Sequence, residues 1–414
     1  MNTRSMPGHV WMDSTFAFMK EGYPFIRNRC VAYGSPVFQT RLLGKRTLCL
    51  SGAEAATLFY DASRFARTAT STPAPLRNIL LGTGGVQGLD GEAHAVRKQA
   101  FLDILSPARA EKLVELFETA WEKRISALPP GQVFEFLPWV ERLLCDTVVE
   151  WAGMPALSAR EADVLTRRLA AMIDGAGRVD PRMPLAWLRR KACERQAAHW
   201  ITACREGRLS PPEGSALALL TQHRDHRAEL LPAKVAAVEL LNILRPVVAV
   251  GRFLLFGLIE LNRYPAWRQR LRSHPPGARI FAEEVRRVYA FFPMVAAYVR
   301  ETFEWHGYRF EKGTRAMFDL FGTNRDPALW KNAERFQPER LSGCPMAAAI
   351  VSQGSGEYTY HRCPGEPLTV MLMERVFLML SQRMEWALDS ADVDFSRLPM
   401  LPEKPVLMTH VKWL

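Results

Sequence analysis

The stretch from Pro232 to Asn262 most limits what this chain can become. Apolar residues fill it at helical period, and as one helix of about thirty residues it would run roughly 45 Å. From Leu240 it reads Leu-Leu-Asn-Ile-Leu-Arg-Pro-Val-Val-Ala-Val-Gly-Arg-Phe-Leu-Leu-Phe-Gly-Leu-Ile-Glu-Leu. A run this apolar either crosses a bilayer or is wrapped by other protein. Arg245, Arg252, Asn242 and Pro246 each count against insertion into lipid. Wrapping needs material, and 414 residues at 48% apolar content supply it. No linker divides the chain, so one domain over residues 1–414 is expected, mainly α with small β elements.

Arg245-Pro246 is the most unusual pair inside that helix. Pro246 withholds a backbone donor and frees a carbonyl one turn earlier. Arg245 sits among Leu and Val, and no acid of this segment is placed to neutralise it. Either it turns outward and snorkels, or it is buried and awaits an anion.

A second constraint lies near the C-terminus. Gln353-Gly354-Ser355-Gly356-Glu357-Tyr358-Thr359-Tyr360-His361-Arg362-Cys363-Pro364-Gly365-Glu366 is a glycine-rich turn running into the apolar, helix-like Pro367–Met384. Free N–H groups at a helix start, with Arg362 alongside, favour a thiolate at Cys363. Such a thiolate can be a nucleophile, a redox centre or a metal ligand. A redox pair at C-x-x-C spacing is absent, the nearest other cysteine being Cys344, and no His–oxyanion constellation accompanies it. A lone axial thiolate on haem iron remains, beside the plainer reading of a buried Cys in a glycine turn.

The seven cysteines are odd in number and irregular in spacing, as suits a reducing cytoplasm. The start Met1–Pro7 has no apolar core of a signal peptide and no anchor. Net charge is +11, but the basic residues are scattered and lack interleaved aromatics. No nucleic acid is expected as a partner.

Elsewhere, a hairpin is expected from Ala32 to Leu50, and a loop, Gly82–Gly88, of the kind that borders ligand sites. Asp90-Gly91-Glu92 caps a helix with His94, Arg97 and Lys98 on one face, ordinarily a solvated basic face. Helices are expected from Ser106-Pro107 to Leu128 and over Pro138–Met154, Ser158–Gly175, Leu185–Glu206 and Glu213–His223. Another, from Pro275-Pro276-Gly277 to near Phe292, holds Glu284 and Arg287 in one register and Glu283 and Arg286 in another. Short strands follow at Val295–Phe303, Tyr308–Glu311 and Thr314–Leu320, and a terminal β element over 385–414.

Taken in order, the basic helix, Arg245-Pro246, Glu284-x-x-Arg287, Pro338-Glu339-Arg340 and His361-Arg362-Cys363-Pro364-Gly365 resemble the cytochrome P-450 family. The closer likeness is to its bacterial fatty-acid peroxygenase branch. The resemblance covers essentially the whole chain and implies a cytochrome P-450 fold. It implies haem b with Cys363 as axial thiolate ligand to iron, and His94, Lys98 and Arg67 as propionate partners, with Arg97 undecided. Glu284, Arg287 and Arg340 would form a structural lock. Arg245 and Pro246 stand where ordinary members carry an acid–alcohol pair for proton relay. A fatty-acid carboxylate held by Arg245 would then supply the missing acid–base group, with hydrogen peroxide as oxidant and no redox partner protein or membrane span. Gln87 matches a position facing substrate near the haem; by itself it reads as a loop amide capping its own turn. Relatives with His there tend to decarboxylate to terminal alkenes, so Gln87 implies hydroxylation at the α or β carbon.

Departures are Gly356, Thr359, His361 and Tyr360, with the loop one residue short, and Gly175-Ala176-Gly177 where an aromatic is common. The last implies a wider channel near Ala176. The alternatives are a reductase-dependent monooxygenase on another small molecule and a non-catalytic haem-binding protein.

Overall fold

A computed structural model describes residues 4–129, 131–175, 177, 182–342 and 349–414. The long apolar stretch forms one helix, Ala233–Arg263, of 31 residues with Pro246 inside it. It packs against Arg182–Arg205, Phe136–Trp151, Ala159–Asp174 and Glu366–Gln382, which wrap it on all sides. One described helix is thus long and apolar enough to cross a membrane, and 94% of its apolar window is buried in the fold. Glu239, Asn242, Arg245, Arg252 and Glu260 are buried along it, whereas Lys234 and Arg263 near its ends are exposed.

One glycine decides how the two key elements meet. A Cβ at Gly257 would sit 2.0 Å from Phe377 Cζ, so only glycine lets the helix that follows Cys363 approach the central helix this closely. A methyl group there would overpack the contact, at a cost of about 1–3 kcal/mol. Trp121 and Phe136, both fully buried, extend the same core outward.

The β structure is larger than expected. Six strands pair in the spatial order Gly8–Asp13, Val37–Leu42, Lys45–Leu50, Arg315–Asp319, Met294–Val299 and Phe65–Ala66. The hairpin pairs antiparallel with Leu42 against Lys45, and Lys45–Leu50 then pairs parallel with Arg315–Asp319. Met384–Ala387, Leu407–Trp413 and Phe134–Glu135 make a separate sheet at the C-terminal end.

Three expectations need correction. Ala32–Tyr33 is not strand but the end of a helix, Phe25–Tyr33, whose buried residues are Phe25 and Ile26 at its start. The helix from Gly277 stops at Val288, short of Phe292. The strand expected over Val295–Phe303 divides into Met294–Val299 and Phe303–Trp305. Cys344 and Ala176 lie outside the described residues.

Candidate active site

A cavity of about 280 Å³ opens between the central helix and the Cys363 loop. Arg67, Gln87, His94, Lys98, Arg245 and Cys363 all line it, although they come from five separate parts of the chain. Among its described lining residues there is no Asp and no Glu.

Cys363 is placed by backbone as much as by side chains. Its N–H donates to Gln353 O at 3.2 Å, and the helix Glu366–Gln382 begins three residues on. Burial pushes the thiol above its ordinary value, against the opposing pull of the Gly365 N–H. The Gly365 N–H at the helix start favours the thiolate as expected, with burial of the sulfur opposing it. Arg362 is committed to Glu366, with Nε donating to Oε2 at 2.7 Å and Nη2 to Oε1 at 2.9 Å. Lys98 and Arg286 are the cations that favour ionisation, and they do not outweigh burial. A metal ion at the sulfur would, because a coordinating thiol is deprotonated outright.

The basic helix, Gly91–Ile104, is not a solvated face. His94, Arg97 and Lys98 are 3%, 5% and 3% exposed. Arg97 is spoken for, its Nη1 donating to buried Glu239 Oε1 at 2.6 Å. Lys98 Nζ donates to the Arg362 carbonyl. Burial, with Cys363 pulling the other way and Arg67 adding repulsion, brings Lys98 down to about 8. Burial and the charges of Lys98 and Arg67 push His94 down to about 4. His361 is lowered by burial, Arg67 and His94. Arg67 Nη2, His94 Nδ1 and His361 Nε2 are buried without hydrogen-bond partners.

That set of observations tests the haem directly. Basic groups crowd one wall of a cavity with no acid among its described lining residues, depress one another and leave buried donors unused. Buried cationic donors are stable only with anionic acceptors. The residues present fit a haem whose two propionates these basic groups would hold and whose iron the Cys363 sulfur would ligate.

Arg245 is 4% exposed, which removes the snorkelling alternative. Its Nε is buried without a partner, and no ion pair to it occurs among the described residues. Burial and the nearby Arg190 charge lower its guanidinium to about 9, so it is still cationic at neutral pH.

Gln87 lies in a one-turn 3-10 helix, Val86–Gly88, and its Oε1 accepts from Asn242 Nδ2 at 3.2 Å. It does not cap its own turn. Both Glu–Arg registers on the Gly277–Val288 helix turn out to be occupied. Arg287 donates twice to Glu284 at 2.8 Å, and Arg340 Nε joins the same carboxylate at 3.1 Å. Arg287 Nη1 also holds the Asn324 and Ala333 carbonyls. Arg286 faces the other way, to Glu283, to Glu366 Oε1 at 2.5 Å and to Gln353 Oε1 at 3.0 Å.

Sequence reasoning missed Gln353, Glu239 and Asn242, whose partners lie far away in the chain. It noticed Tyr360 only as a departure. Tyr360 Oη donates to Asp90 Oδ1 at 2.7 Å, which ties the shortened loop to the residue capping the basic helix.

A family profile for Cytochrome P450 matches residues 268–410. Cytochrome P450SP alpha (CYP152B1), in a point-mutant form, superposes with TM-score 0.94 at 36% identity, covering 97% of this chain and 99% of that one. Cytochrome P450EX alpha (CYP152N1) with myristic acid superposes with TM-score 0.94 at 33% identity, covering 99% and 100%. Ligand-free cytochrome P450 OleT superposes with TM-score 0.92 at 27% identity, covering 97% of each. Curated relatives match over shorter spans. Ferruginol synthase of Isodon rubescens is 30% identical over 139 residues, so this chain spans only 25% of its length. Putative cytochrome P450 120 of Synechocystis is 22% identical over 424 residues, covering 94% of this chain and 92% of that protein.

Proposed function

The chain belongs to the cytochrome P450 superfamily, in its CYP152 fatty-acid peroxygenase branch, and on that premise we propose that it uses hydrogen peroxide to hydroxylate long-chain fatty acids at the α or β carbon. It is an oxidoreductase of a family whose cofactor is a haem iron with a cysteine thiolate ligand. Cys363 would supply that ligand, with Arg67, His94 and Lys98 taking the propionates. Glu284, Arg287 and Arg340 would hold the proximal side rigid. Bound, the haem supplies the iron at which peroxide is activated, with thiolate electron density favouring O–O cleavage.

The observation that carries the reading is Arg245, a buried cation without a carboxylate partner among the described residues, in a cavity whose described lining holds no acid. A substrate carboxylate is the complementary group, bidentate on the guanidinium. Held there, the carboxylate can move the peroxide proton, a role for which the described lining offers no Asp or Glu. Pro246 lines the cavity beside Arg245 and sets an apolar ring next to the guanidinium. Tethering by the carboxylate keeps the α and β carbons nearest the reacting centre, which fixes regiochemistry by geometry. Myristic acid in the P450EX alpha structure supports the same ligand class.

No redox partner protein enters this scheme. The cytoplasm as its place of action is supported by six unpaired cysteines among the described residues. A panel of fatty acids incubated with peroxide and no reductase tests the reading. Hydroxy acids at C2 or C3 are expected; turnover only with a reductase and dioxygen would overturn it.

A further inference from the structure

Asn242 links two acceptors. Its Nδ2 donates to Glu239 Oε2 at 3.1 Å and to Gln87 Oε1 at 3.2 Å. Glu239 is fully buried and also accepts from Arg97 at 2.6 Å. A carboxylate paired with a guanidinium only accepts, so the Asn242 amide must turn its amino group toward it. Both protons of that group are then used, one on the carboxylate and one on the Gln87 carbonyl. The opposite orientation would set Asn242 Oδ1 against Glu239 Oε2, acceptor against acceptor. The orientation found leaves Oδ1 buried without a partner. Gly85 makes room for the linkage, since a Cβ there would lie 2.8 Å from Asn242 Nδ2 and 3.2 Å from Gln87 Oε1.

We propose that Glu239 is a positioning residue that, through Asn242, fixes the Gln87 amide with its N–H group turned to the cavity. Gln87 Nε2 has no protein partner among the described residues, and Gln87 and Asn242 both line the cavity. Asn242 precedes Arg245 by three residues, on the same helix face. The inference rests on the fatty-acid reading: a directional donor near Arg245 gives the carboxylate a second contact and so biases which carbon is presented. Glu239 itself does not line the cavity and acts only through the two amides.

The test is Glu239→Gln, an isostere whose amide can donate as well as accept and so no longer dictates the polarity of Asn242. The ratio of 2-hydroxy to 3-hydroxy product should move by about fivefold, the weight of one neutral hydrogen bond. Haem loading and the Soret spin shift on saturation with fatty acid should stay as in wild type. Because Arg97 would be left uncompensated, the double variant Arg97→Met/Glu239→Leu is measured alongside it, with both charges removed. A moved ratio in either fully loaded variant supports the proposal. A wild-type ratio in both variants, folded and fully loaded, overturns it. A wild type that fails to oxidise fatty acids with peroxide at all overturns instead the reading beneath it.

Discussion

Gln353 Nε2 lies 3.9 Å from Cys363 Sγ, and its direction is set by Arg286, whose Nε donates to Gln353 Oε1 at 3.0 Å. A guanidinium has no acceptor, so the amide must face it with oxygen and turn its nitrogen to Thr369 Oγ1 at 3.2 Å and to the sulfur. The Glu283, Glu366 and Arg286 group thus reaches the thiolate through one side chain.

Gln353→Leu should therefore raise electron density at the ligand and lower the ferric–ferrous potential. A hydrogen bond of about 0.5–1.5 kcal/mol corresponds to a one-electron change of about 20–60 mV. Spectroelectrochemistry of the loaded variant checks it, and an unchanged potential would show that the contact carries no charge stabilisation.

Cys363→Ser should lose the thiolate-type Soret band of the ferrous carbon monoxide complex. Of the six described cysteines, only Cys363 lines the cavity. Persistence of that band in the serine variant would point to another ligand.

His94 offers a pH test on the haem-free protein. Its folded value of about 4 lies below the ordinary 6.5, so the unfolded chain binds the proton first as pH falls. Stability present above pH 6.5 should be lost on acidification towards 4, by about 3 kcal/mol from this group. Haem propionates beside it would favour the charged form and flatten the slope. Denaturant midpoints of apo, holo and His94→Gln proteins between pH 4 and 7 decide it; equal slopes in all three would refute the assignment.

Gln87→His should shift products towards terminal alkene while fatty-acid binding spectra stay broadly similar, since the amide carries no charge with which to capture a carboxylate. Gas chromatography of the products gives the ratio directly, and an unaltered ratio tells against Gln87.

What could be read from the chain was what neighbours in sequence determine. Arg245-Pro246 stands out because nothing within a helical turn neutralises the charge, and Cys363 because a glycine turn meets a helix start. Glu284 and Arg287 were legible as a pair for the same reason, but not that Glu283 and Arg286 form a second one. Glu239 gave no signal: its partner Arg97 lies 142 residues away, and an acid in an apolar helix looks like any surface acid. The pairing of Lys45–Leu50 with Arg315–Asp319 was hidden likewise, since parallel strands need long crossovers that leave no local mark. The burial that opposes the Gly365 N–H at Cys363 was not legible, because it is a property of the folded cavity.

Arg245→Leu probes the central claim. A charge-assisted contact of roughly 1.5–3 kcal/mol predicts fatty-acid binding weaker by about one to two orders of magnitude. If the bound carboxylate is also the acid–base group, turnover at saturating fatty acid should collapse as well. In wild type, a fatty-acid methyl ester should fail as substrate, and a short carboxylic acid should restore peroxide-driven oxidation of a neutral molecule. The deciding number is kcat with peroxide for Arg245→Leu at saturating fatty acid: near zero is predicted, and a wild-type value would contradict the account.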